Sequence, residues 1–203
     1  MKKCIMMVVI ILGVITSMSA QVSDGLASVN HVQGKEVYIL SQPVRNFETV
    51  VKVKSSLKLT SILTRGFVNE TITDKANELT RRAIRKALKK AKQPFDAIVY
   101  TGGKEVRAVR FTDEPTSTTK GIARVGKYFG LEVYILAEPL NAYSVSNSTW
   151  GGVKGIPLLT YGFVNNSIER DVMTFAKKLR KENNDSQALI YSAGRTAISA
   201  KFK

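Results

Sequence analysis

Cysteine and histidine are almost missing from this chain, which has one of each in 203 residues, Cys4 and His31. Cys4 falls inside the first twenty residues, so the remainder has no thiol. That excludes a disulfide framework and a structural thiolate zinc site. A single histidine excludes a histidine-based metal centre and leaves no imidazole pair for acid–base work. Acids are also scarce, 16 Asp and Glu against 31 Lys and Arg. They form no cluster able to hold calcium, since Asp113-Glu114 alone is too few oxygen ligands. Paired catalytic carboxylates are not evident: Glu36 and Glu132 open two strands and are expected at the surface. Serines and lysines abound, but no pair is singled out. The first reading is therefore non-enzymatic, with no catalytic residue, cofactor or metal expected, and an enzyme of unknown type, such as one with a Ser-Lys arrangement, is the remaining alternative.

One long apolar run is present, and it lies at the start. Lys2 and Lys3 precede Ile5–Ile15, and the segment ends Ser17-Met18-Ser19-Ala20. A basic start, a short apolar stretch and a small-residue cut site describe a secretory signal peptide over 1–20. A spanning helix would need about 20 apolar residues. Cys4 precedes the apolar run, which is the wrong side for a lipoprotein. The expected location is periplasmic or secreted. Losing two lysines and no acid lowers the formal charge from +15 to +13. Such an excess draws a protein to polyanions, including nucleic acid, anionic headgroups and acidic polysaccharide.

The chain repeats itself. Glu36-Val37-Tyr38-Ile39-Leu40 returns as Glu132-Val133-Tyr134-Ile135-Leu136, 96 positions on. The same offset carries Pro43 onto Pro139, Gly66-Phe67-Val68-Asn69 onto Gly162-Phe163-Val164-Asn165, and Ile72 onto Ile168. Positions 36–72 and 132–168 share 14 identities in 37 without a gap. This reads as a tandem duplication. The expected organisation is signal peptide 1–20, polar leader 21–35, repeat one 36–111, linker 112–131 and repeat two 132–203.

Each repeat reads β-β-α-β-β, an α+β module. Val37–Leu40 and Thr49–Lys54 are predicted strands by β-branched and aromatic content. Ala76, Leu79, Ala83, Ile84, Ala87, Leu88 and Ala91 recur at three and four residues, one apolar helix stripe. Thr73 or Asp74 is the expected cap and Pro94 the stop. Ala97–Tyr100 and Val106–Phe111 are predicted strands around Thr101-Gly102-Gly103-Lys104. That turn lacks P-loop spacing and no helix follows it. In repeat two, Ile168, Val172, Phe175, Ala176 and Leu179 give the helix, and Ala188–Tyr191 and Ala197–Phe202 the closing strands. A module of this size buries only about 60% of its unfolded surface. Two modules without disulfides are expected to pack together about a pseudo-twofold axis.

The sharpest candidate for binding is the outer face of the first helix. Arg81, Arg82, Arg85, Lys86, Lys89 and Lys90 form its anion-binding candidates. No aromatic ring lies among them, which disfavours a sequence-specific nucleic-acid reader. The partners expected are an anionic polymer, a membrane surface or a protein of the envelope. Trp150 has no counterpart in repeat one, and stands beside Gly151-Gly152 as a stacking candidate. Asn69 and Asn165 are retained between repeats and are either helix-leading caps or ligand contacts. Asn69-Glu70-Thr71, Asn147-Ser148-Thr149 and Asn165-Asn166-Ser167 also fit the glycosylation sequon.

The Val-Tyr-Ile-Leu strand with its later proline, and the Ala-Ile-Val-Tyr strand after a basic helix, resemble small exported α+β proteins of bacteria. Asp96-Ala97-Ile98-Val99 is also similar to a strand of the envelope-stress lipoproteins and the heavy-metal-binding small domains. That resemblance covers the helix–strand half of each repeat. It implies an exported α+β domain and carries over no functional residue, since the lipoprotein cysteine and the metal-binding side chains of those groups are not here.

Overall fold

The computed structural model describes residues 21–54, 71–150, 168–182, 184–191 and 196–203. The chain runs β1 (Gln21–Val29), β2 (His31–Val32), β3 (Lys35–Ile39), β4 (Ser41–Pro43), β5 (Phe47–Lys54), α1 (Ile72–Lys90), β6 (Ala97–Tyr100), β7 (Glu105–Phe111), β8 (Ile122–Tyr128), β9 (Leu131–Ile135), β10 (Ala137–Pro139), β11 (Tyr143–Trp150), α2 (Ile168–Glu182), β12 (Ala188–Tyr191) and β13 (Thr196–Phe202). The class is α+β, mostly sheet with two helices.

Two sheets carry these strands. One has the order β2-β3-β6-β7-β5. The other curls through β10-β1-β8-β9-β12-β13-β11, with β4 added alongside β8. Each sheet has one parallel pair at its centre. Glu36–Ile39 runs beside Ala97–Tyr100, and Glu132–Ile135 beside Ala188–Tyr191. β6 and β12 are buried at every position, as expected of central strands covered on both faces.

Alternation along those strands divides the interior in two. Ile39, Ile98, Ile135 and Leu189 pack with Ile72, Leu79, Ile84, Val172 and Leu179 under the helices. Tyr38, Val99, Tyr134 and Ile190 face a second cluster holding Ala27, Ala123, Ala97 and Ala188. Small residues dominate that second cluster, so the strands there approach closely.

Several expectations are corrected. The leader 21–35 contains β1 and β2, and the linker 112–131 contains β8. β1 shows inverted patterning: Gly25, Ala27 and Val29 are buried while Leu26 and Ser28 are exposed. The small residues point inward because β8 lies against them, with Ala27 opposite Ala123. The rest of the linker is fastened too, since buried Arg45 donates to Asp113 (3.1 Å) and lies 3.9 Å from the Phe111 ring. The strand expected over Val37–Leu40 stops at Ile39. Leu40 breaks it at φ 51°, and Leu136 breaks its counterpart at φ 52°. Both leucines are buried, and each N–H donates to a strand-end tyrosine carbonyl, Tyr100 at 2.6 Å and Tyr191 at 3.1 Å. A left-handed leucine is uncommon, so packing holds this bend against its local cost.

Candidate functional site

Helix α1 is fixed at its start by a capping box. The Thr71 hydroxyl accepts from the Asp74 N–H (3.0 Å), and the Asp74 carboxylate accepts from the Thr71 N–H (3.1 Å). The cap is thus Thr71, two residues before the earliest position expected. A threonine there satisfies an orphan N–H, and the acid at the third helical position returns the bond. Lys89 and Lys90 close the last turn, where cations suit the helix dipole.

The stripe Ile72, Ala76, Leu79, Ala83, Ile84 and Ala87 is buried and holds α1 on the sheets. Leu88 is not part of it and is 64% exposed. Each step of four residues turns an α-helix by about 40°, so the row that passes Ile84 has left the core by Leu88.

The outward face reads Arg81, Arg82, Arg85, Lys86, Lys89, Lys90 and Lys92, seven cations with no acid between 81 and 92. The structure divides them. Arg82 pairs with Glu78 one turn back, and Lys86 donates to the Lys54 carbonyl (3.1 Å). Arg81, Arg85, Lys89 and Lys90 are exposed and have no hydrogen bond or ion pair among the described residues. These four bring charge to a surface with no internal acceptor. Leu88 lies on the same side of the helix as Arg85, one turn on.

Helix α2 spends its charge differently. Arg180 is held by three carbonyls, those of Phe129 (3.1 Å), Asn184 (2.6 Å) and Ser186 (3.0 Å). Lys178 lies 3.7 Å from Glu182. Glu169 and Asp171 occupy the first turn. Lys177 and Lys181 remain exposed.

The two helices meet through Lys75, whose Nζ lies 2.7 Å from the Asp171 carboxylate. Both side chains are nearly buried, at 12% and 9% exposure. The hydroxyl of Tyr191, whose pKa is raised by burial and then by Asp171, is buried with no hydrogen-bond partner among the described residues, as is that of Tyr128.

Glu36 and Glu132, expected at the surface, are instead interior acceptors. Glu36 is 6% exposed. Strand alternation places it beside Tyr38, which donates to it at 2.5 Å, and the Gly121 N–H donates at 3.2 Å. His31 Nε2 lies 4.0 Å away. Glu132 is half-buried and accepts from Tyr134 at 2.6 Å. Its carboxylate occupies the space a Cβ at Gly25 would enter. Burial is the largest cause pushing both tyrosines far up, ahead of the carboxylate each one bonds. Each phenol is held neutral on a carboxylate of its own strand, a structural pairing that offers no free acid or base. The Glu-x-Tyr spacing in both repeats was a legible sign of it.

Trp150 stands in β11, opposite Thr196 in β13. Asn69 and Asn165 lie outside the described residues. Thr101–Lys104 makes the β6–β7 hairpin turn, with Gly102 and Gly103 at φ 117° and 74°. No group of three His, Cys, Asp or Glu able to hold a metal occurs among the described residues. No helix among them is long and apolar enough to cross a membrane. No protein family, curated protein or solved structure matches the chain.

Proposed function

We propose that this is an exported, non-catalytic binding protein, a duplicated module that presents the basic face of α1 to an anionic polymer or surface of the envelope. The observation that carries this reading is the contrast at Arg81, Arg85, Lys89 and Lys90. Those four cations are exposed along α1 with no ion pair among the described residues, while Arg180 on α2 serves the fold. Like charges held close repel one another, by up to about 1 kcal/mol for each pair in water, and an anionic partner relieves that cost.

The scaffold is read as two halves related by a pseudo-twofold axis between Ala27 and Ala123. Exchanged registers support this. Ala27 pairs with Ala123, its own equivalent at the 96-residue offset. Pro43 of β4 pairs with Ala123, and Pro139 of β10 with Ala27. The Asn30 N–H donates to the Leu136 carbonyl and the Gly126 N–H to the Leu40 carbonyl, both at 3.0 Å. Each half thus lends a short strand to the other, which explains how two small modules share one interior without disulfides.

The test is binding of the protein to heparin, nucleic acid and anionic vesicles at two salt concentrations. A variant with Arg81, Arg85, Lys89 and Lys90 changed to Glu is the control. Binding by the native chain should fall steeply with salt as counterions return, and the variant should lose it. Equal binding by both proteins would remove α1 from the account.

A further inference from the structure

We infer that the anionic partner of α1 is a lipid bilayer surface, with Leu88 entering the headgroup region between the cations. This rests on the reading of α1 as an anion-binding face and narrows it to one partner. Leu88 is 64% exposed, among the most exposed of the large apolar side chains described. Arg81 and Arg85 precede it by two turns and one turn on the same side of the helix, and Lys92 follows just past the helix end.

A soluble polyanion uses the charges and gains nothing from a branched aliphatic side chain. Bases would need aromatic rings to stack on, and residues 81–92 contain none. A bilayer supplies both complements, phosphates at the surface and an apolar boundary just beneath them. Seven cations without an acid fall in the range read as recognition of anionic lipid.

The fold also sets how deep the contact goes. The apolar stripe of α1 is committed to the core, so the helix cannot roll and bury that stripe in the membrane. Docking is peripheral and reversible, with electrostatic attraction first and one leucine as anchor. Lys54, whose carbonyl accepts from Lys86, borders the same face and is exposed.

Vesicles of phosphatidylcholine with and without phosphatidylglycerol, alongside immobilised heparin, test this. Leu88→Ser should weaken binding to the phosphatidylglycerol vesicles by roughly three- to tenfold, as expected for partial burial of a leucine. It should leave heparin retention unchanged. In a Trp150→Phe background, the indole of L88W should shift to the blue and resist acrylamide on phosphatidylglycerol vesicles, and do neither on heparin. The inference is overturned if L88W stays fully quenchable on vesicles that bind the protein, or if Leu88→Ser changes neither affinity. In both cases the anion-binding reading survives. That reading itself fails only if reversing Arg81, Arg85, Lys89 and Lys90 leaves vesicle and heparin binding intact.

Discussion

Helices α1 and α2 share their core-facing pattern and part company on their outer faces. Ile72 and Ile168 are both buried at the first position, and Lys75 of one meets Asp171 of the other at the same repeat position. Beyond the second turn α1 accumulates exposed cations, while α2 returns an arginine to three carbonyls and mixes in acids. The edge strands differ similarly. β5 carries Glu48, Lys52 and Lys54, whereas β11 carries no charge at all. What the two helices and the sheets under them have in common is packing and register. What distinguishes them is surface, and a partner sees surface.

The largest expected effect breaks the shared part. Lys75→Ala leaves Asp171 nearly buried without its cation and should cost about 3 kcal/mol in urea unfolding. Replacing both, Lys75→Met with Asp171→Leu, should recover most of it. The exposed Lys178–Glu182 pair makes the contrast, and its removal should cost less than about 0.5 kcal/mol.

Next come two glycines at equivalent positions with different reasons to be glycine. Gly25→Ala pushes a methyl group into the Glu132 carboxylate and should cost about 1–2 kcal/mol. Gly121→Ala meets only the His31 ring at ordinary contact distance (3.8 Å), but φ is +67° and the left-handed penalty is about 1–2 kcal/mol. A double-mutant cycle separates them. Gly25→Ala should couple strongly with Glu132→Ala, because the clash goes with the carboxylate, whereas Gly121→Ala should keep its left-handed cost in a Glu36→Ala background.

Tyrosine ionisation sharpens the view of the interior. Tyr38, Tyr128, Tyr134 and Tyr191 are all raised, by burial first, above the value of a free phenol. A raised folded pKa stabilises the native state below the unfolded value, about 10, and that contribution is lost as pH rises beyond it. Absorbance titration should therefore show these four ionising only as the protein unfolds in alkali. Smooth ionisation of all seven tyrosines near pH 10 would contradict the buried assignments.

The smallest effect concerns two matching turns, Gln33-Gly34 at φ 53° and 73° and Phe129-Gly130 at φ 51° and 76°. Asparagine tolerates that first position better than glutamine. Gln33→Asn should add about 0.5 kcal/mol, since Gln33 is exposed. Phe129→Asn should instead destabilise, because the Phe129 ring packs against the core.

Much of this was legible in the residues. The Glu-Val-Tyr-Ile-Leu recurrence marked two equivalent strands, and spacing placed both helices. β1 was not legible, because close strand approach selects Gly25 and Ala27 for the inside and leaves Leu26 outside, whereas a short element over Ile122–Phe129 could be read and is β8. Hydrophobic patterning reads such a strand as a loop. The basic candidates were visible as a group, but sequence could not divide them. Arg82 and Lys86 are engaged by Glu78 and the Lys54 carbonyl, contacts that only folding brings about. Leu88 was misassigned to the core stripe because its spacing from Ile84 is helical, while the stripe had already turned away.

The central claim is that α1, and not the chain's net charge, recognises an anionic partner. Two variants with identical charge change test it most directly: Arg81, Arg85 and Lys89 reversed to Glu, against Lys177, Lys178 and Lys181 reversed to Glu. On phosphatidylglycerol vesicles at moderate salt, the α1 variant should lose binding and the α2 variant should keep most of it. Equal losses in the two would mean that charge alone acts and that the α1 face has no special role.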